Sequence, residues 1–188
     1  MELSRVAAPT DQVVGLERAK QHLNVDSSHH DAKITGLIAA ATARLDGDRG
    51  LLGRCLMPQT WLGTMAGFPC YAIELPLPPT LDVLSLKYLD GGGIEQTLSD
   101  AAYRLVAGGS GVTRIVPNHG RSWPQTACEL DAVRITFRGG FAPSAPEVEP
   151  VRVAILMMVE HWYEPEGVGM PIPEAAMDLV SDLRLAPL

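Results

Sequence analysis

The feature that most constrains this chain is the period of its apolar residues, which changes from about 3.6 to 2 and back again. Ile34, Leu37, Ile38, Ala41 and Leu45 recur at i, i+3, i+4, i+7 and i+11, one face of a helix. Leu16, Ala19 and Leu23 form a shorter stripe ahead of them. Asn24 to His30 is polar and separates the two, and Asp31 is placed to cap the second helix. From Pro58 the pattern alternates. Gln59–Thr64 and Tyr71–Leu75 read as strands, and Pro76, Pro78 and Pro79 stop the second.

The alternation continues. Leu84, Leu86 and Tyr88 are expected on one face of a strand, Asp90 with Gly91, Gly92 and Gly93 makes a turn, and Ile94–Leu98 returns. Residues 81–98 are thus a predicted hairpin. Ala102–Val106 and Thr113–Val116 flank a loop of Gly108, Gly109, Ser110 and Gly111. Val133, Ile135 and Phe137 alternate with Arg134, Thr136 and Arg138, a half-buried strand. Phe141–Pro150 holds three prolines and reads as a linker. Helix then returns at Val151, Ile155, Met158, Val159 and Trp162. The intervening Val153, Ala154, Leu156 and Met157 are apolar too, so this helix should be buried on several sides and its apolar run mostly internal. Glu174–Leu185 is the last expected helix.

Neither helical end can bury its stripe alone. The expected fold class is α+β: a helical bundle built from N- and C-terminal helices, with a mostly antiparallel β insert between them. Residues 10–56 and 145–188 would form the helical unit and 57–144 the insert. At 188 residues the chain is long enough for a sizeable core without disulfides.

Charge narrows the function classes. The net charge is −7, and Lys20, Lys33 and Lys87 are the only lysines. No basic stripe of the kind that neutralises phosphates is visible. Residues 141–188 hold eight acidic groups against Arg152 and Arg184. That acidic segment is either a solvated surface or a face that meets a basic partner or avoids DNA. Cys55, Cys70 and Cys128 are odd in number and widely spaced, unlike a disulfide framework. Met1–Gln12 lacks a signal-peptide layout. The longest strictly apolar run, Val153–Val159, is far below the roughly 20 residues that span a bilayer. These features predict a soluble protein of a reducing cytoplasm, with no membrane contact.

No motif in the chain carries a strong catalytic signal. There is no Gly-x-Ser-x-Gly elbow, since no helix opens after Ser110. There is no phosphate loop or dinucleotide fingerprint, since Gly91–Gly93 joins two strands. His29 and His30 are neighbours on a polar loop, and no cysteine has a Cys-x-x-Cys partner, so no metal or cofactor is expected. Glu160 and Glu164 flank His161 at helical spacing and could in principle do acid–base work. The plainer reading is a helix end where Trp162 and Tyr163 pack and the glutamates meet solvent.

Taken in order, these pieces resemble the head–tail connector (adaptor) proteins of long-tailed phages, prophages and gene transfer agents. The resemblance runs through Leu16–Asp26, Asp31–Asp46, Gln59–Trp61, Ile73–Pro79 and Val83–Gly93. It continues through Tyr103–Leu105, Trp123-Pro124, Val133–Phe141 and Val151–Glu164. It departs at Pro165-Glu166-Gly167, where the family often carries a charged turn.

The resemblance implies a structural role with no reaction catalysed. Subunits of the family form a ring, commonly of about twelve copies, under the portal protein of a DNA-filled capsid. The ring extends the channel toward the next neck or tail component. It implies assembly in the host cytoplasm, residence in the particle neck, and DNA that passes without specific binding, which a lysine-poor chain suits. Ring contacts of modest size would leave the free subunit monomeric. Two competing classes stay open. One is a small cytoplasmic α+β enzyme with an unrecognised site. The other is another neck or tail-completion protein, although those tend to be β-rich with little flanking helix.

Two sets of contact residues follow. Residues 170–188 form a candidate docking arm, entered through Pro171 and Pro173 after the hinge glycines Gly167 and Gly169. Met170, Ile172, Met177, Leu179, Val180 and Leu183 are its candidate portal or subunit contacts. The alternative is that this stripe packs on its own subunit. The second set is the insert tips: Gly91, Gly92 and Gly93, and Gly108, Gly109, Ser110 and Gly111.

Overall fold

The computed structural model describes residues 1–164 and 171–185. It is a mixed α+β fold with antiparallel sheets and four helices among the described residues. The backbone separates into two compact units. One comprises Met1–Thr10 and Pro58–Gly140, the other Asp11–Met57 and Phe141–Leu188.

The second unit is helical. Helix α1 spans Leu16–Leu23 and buries Ala19. It ends because Asn24 turns into the left-handed region at φ 54°, which asparagine tolerates, and the Val25 N–H closes on the Lys20 carbonyl at 3.0 Å. Helix α2 spans Asp31–Leu45 and buries Ile34, Ile38, Ala41 and Leu45, four members of the sequence stripe. Asp31 is not its cap. A 3₁₀ turn at Ser28–His30 runs into the helix, the Ser27 hydroxyl accepts the His29 N–H, and Asp31 pairs with Lys20 at 2.8 Å.

Helix α3 spans Val148–Tyr163, so it begins inside the expected linker. Pro150 falls in its first turn, where a missing N–H costs nothing. Seven of its residues, among them Ala154, Ile155, Leu156, Met158 and Val159, are buried, and Val153 is the exposed member of the apolar run at 37%. Helix α4 spans only Glu174–Leu179. A 3₁₀ turn at Ser181–Leu183 replaces the rest of the expected helix, with the Ser181 hydroxyl donating to the Asp178 carbonyl at 2.8 Å. α1, α2 and α4 all pack on α3 around one apolar core.

The first unit carries two sheets. Five strands run in the order β1 (Glu2–Ala7), β2 (Gln59–Met65), β8 (Val133–Gly139), β4 (Thr80–Leu89), β5 (Glu95–Thr97). Three run β3 (Ile73–Leu75), β7 (Thr113–Pro117), β6 (Tyr103–Ala107). All pairings are antiparallel. β8 lies at the centre of its sheet because Val133, Ile135 and Phe137 are fully buried. On its other face Arg138 grips Asp82 through two bonds of 2.8 and 2.6 Å, and Arg134 reaches Asp131 and Glu95.

β1 is a strand that hydrophobic pattern does not announce. Every one of its residues except Leu3 is exposed, so it is held by backbone pairing to β2 and by Arg5 lying over the Trp61 ring at 4.9 Å. β4 departs from the expected alternation. Its register against β8 slips once between Thr80 and Asp82 and again between Val83 and Ser85. The extra residues are Leu81 and Leu84, 47% and 52% exposed, while Leu86 is buried.

Candidate functional site

The C-terminal candidates fall on α4 and the turn beyond it. The Pro173 carbonyl accepts the Ala176 and Met177 N–H groups at 3.0 and 3.2 Å, which starts the helix. Ala176 and Val180 are buried in the α3 core, and Ile172 and Leu183 are half-buried against it. Met177 is half-buried and Leu179 is 44% exposed. Met170 lies outside the described residues, as do the expected hinge glycines Gly167 and Gly169. Beyond α4 the chain is tied down by one side-chain and one backbone hydrogen bond. Arg54 donates its Nε–H to the Leu183 carbonyl, and the Leu185 N–H donates to the Leu52 carbonyl at 3.1 Å. Arg54 is 7% exposed, and burial lowers its pKa from the ordinary guanidinium value. Its anchor is the loop after α2, where Asp46 accepts the Leu56 N–H at 2.8 Å.

Among the described residues of this segment, Leu179 is thus the large apolar one that is exposed. Glu174, Asp178 and Asp182 are exposed around it. Among the described residues none of the three carboxylates makes an ion pair.

The two glycine tips lie on different sheets. The β4–β5 tip is a built turn. Asp90 Oδ1 accepts the Gly92 and Ile94 N–H groups at 2.9 and 3.1 Å, and Gln96 donates to Asp90 Oδ2 at 2.9 Å. These bonds hold the Asp90 carboxyl below its usual range, Gln96 contributing most. Gly93 takes φ +77°, and a Cβ on Gly91 would meet nothing. Ile94, beside them, is 63% exposed. The β6–β7 tip is a 3₁₀ turn at Gly109–Gly111, closed by the Gly108 N–H donating to the Val112 carbonyl at 2.7 Å. A side chain on Gly109 would meet open space, while one on Gly108 would crowd that carbonyl at 3.1 Å.

At the end of α3 the Glu160 carboxylate turns to another helix. Glu160 pairs with His22 on α1 at 3.0 Å. Tyr163 receives Lys33 over its ring at 4.4 Å and His30 edge-on at 5.7 Å. These residues stitch the end of α3 to α1 and α2. Sequence spacing could not reveal such pairs, because their members lie about 130 residues apart. Among the described residues no group of three or more His, Cys, Asp and Glu could hold a metal ion. Among them, too, no helix is long and apolar enough to cross a membrane.

No protein-family model matches the chain, and no curated protein matches its sequence. Its fold, however, is that of chains in solved particle necks. A chain in the neck of an empty gene transfer agent (GTA) particle, computed with C6 symmetry, matches with a TM-score of 0.79 at 22% identity. A chain of the virion of a native GTA particle matches at 0.78 and 22%. One from the neck of a native GTA particle, computed with C12 symmetry, matches at 0.71 and 21%. Each match covers 100% of this chain and 97% of the other.

Proposed function

We propose that this chain is a structural subunit of the neck of a gene transfer agent or phage-like particle. In this reading it is an adaptor that forms a ring beneath the portal and extends the DNA channel toward the tail. One observation carries the reading: the fold agrees over the whole chain with chains of GTA necks. A partial match could reflect a common β-sheet module. A match over both units implies the same overall design. The six-fold and twelve-fold symmetry of those necks supports a ring of copies, which we take as twelve, bound to the portal on one side and the next neck or tail component on the other. The protein assembles in the host cytoplasm and ends in the particle. No catalytic step and no cofactor enter the role.

The C-terminal segment is the portal-docking element. Leu179 supplies the apolar contact, and Glu174, Asp178 and Asp182 meet basic groups on the portal, which makes docking salt-sensitive. Ile172, Met177, Val180 and Leu183 support it, the last two from within or against the subunit's own core. Gly91–Gly93 and Gly108–Gly111 are tip contacts to neighbouring components.

The test is electron microscopy of the purified protein with the portal of the same particle. A ring stacked on the portal is expected, lost in a Leu179→Glu variant whose melting temperature is unchanged. Absence of any ring with the wild-type protein overturns the adaptor reading. A ring that survives Leu179→Glu at raised salt overturns the docking assignment alone.

A further inference from the structure

Among the described residues the two sheets have four edge strands, and three of them are blunted. β1 slips register at Val6, β5 is three residues long, and β3 is three residues long and followed at once by Pro76. β6 differs. It holds five residues in unbroken register against β7, with no proline or bulge and Arg104 as its one charged residue. Natural sheets rarely leave such an edge unguarded.

The ladder shows which backbone groups face outward. The Asn118 N–H donates to the Ala102 carbonyl at 3.0 Å, and the Gly108 N–H to the Val112 carbonyl at 2.7 Å. Alternate residues of an antiparallel pair share this character, so Arg104 and Val106 bond β7. Tyr103, Leu105 and Ala107 therefore turn their amides and carbonyls away from β7, Leu105 and Ala107 from exposed positions and Tyr103 from one that is 7% exposed. Leu105 is 45% exposed there.

We propose that this edge pairs with the same edge of a second copy of the chain, as an antiparallel ribbon centred on Leu105. In that register Leu105 meets its own equivalent, Tyr103 meets Ala107, and Arg104 meets Val106. Every outward-facing residue then falls in a hydrogen-bonded pair. Sliding by two residues in one direction sets Arg104 against Arg104, and in the other leaves fewer residues paired. The β3 edge is a poorer occupant. Ile73 and Leu75 sit opposite Ile115 and Thr113, which bond toward β3, so Glu74 alone faces outward. A ribbon of five residues buries less than the roughly 800 Å² per partner of a stable interface, so the dimer forms only at high concentration. A two-fold contact cannot join neighbours that all point the same way along a ring axis. The pairing therefore belongs to the free subunit and goes beyond the adaptor role: it covers the unguarded edge and opens before a ring closes.

Sedimentation over a concentration series tests this. Wild type should move from monomer to dimer mass. Ala107→Pro removes one outward N–H without touching the β7 ladder, and should stay monomeric with an unchanged melt. In a Cys70→Ser, Cys128→Ser background, Leu105→Cys should cross-link on mild oxidation, since a hydrogen-bonded pair sets the Cα atoms about 5.5 Å apart. Val106→Cys should not. A wild type that stays monomeric to millimolar concentration, a dimer that survives Ala107→Pro, or equal cross-linking at 105 and 106 overturns the proposal.

Discussion

Two arginines converge on Glu149, in the first turn of α3. Arg18 from α1 and Arg152 one turn along α3 both grip its carboxylate. Arg152 also donates to the Val13 and Pro143 carbonyls at 3.0 and 2.6 Å. Arg18 foremost, then Arg152, holds the Glu149 pKa down at about 2. An unfolded glutamate titrates near 4.3. The folded pKa is the lower one, so the contribution is complete above about pH 5 and fades as pH falls toward 2. Both partners are half exposed, so it is modest. Melting temperatures of wild type and Glu149→Gln should therefore differ at pH 7 and converge by about pH 2. A gap that stays constant over that range would show that the glutamine disturbs packing instead.

At the scale of elements, β4 shows what a strand pattern leaves undetermined. Leu84 and Leu86 stand two apart, and simple alternation puts them on one face. The bulge at Leu84 separates their fates, leaving one exposed and the other buried. Leu86→Ala should cost about 2–5 kcal/mol, the usual penalty for a buried leucine. Leu84→Ala should cost less than about 0.5 kcal/mol. Urea melts of the two variants measure the difference, and equal costs would mean that Leu84 is buried in solution, for instance by a partner. The helices were more legible. The stripe of α2 reappears as its buried face because a helix accepts no inserted residue without breaking its hydrogen bonds, whereas an antiparallel ladder absorbs one as a bulge.

At the scale of the whole molecule, charge sets behaviour toward DNA. A net charge of −7 with only three lysines leaves little to release counterions from a duplex. Seven arginine and lysine side chains, Arg18, Lys20, Lys87, Arg114, Arg134, Arg138 and Arg152, are already engaged with carboxylates. A gel-shift experiment with duplex DNA at about 50 mM salt should show no retarded band with micromolar protein. A band that fades as salt rises would reveal a basic surface created by assembly of several copies.

The sequence by itself determined the kinds of element and their order. Those depend on local periodicity and on prolines and glycines, and β2 to β8 and the four helices lie close to where the pattern sets them. Tertiary structure decided the rest. β1 exists because β2 offered an open edge, not because its exposed residues demand a sheet. α4 stops after six residues, with Leu179 its exposed large apolar residue and Val180, just beyond it, buried in the α3 core. The open edge of β6 likewise depends on which neighbour each strand found. Strand partners and cross-chain salt bridges join residues far apart in sequence, and no local period encodes who meets whom.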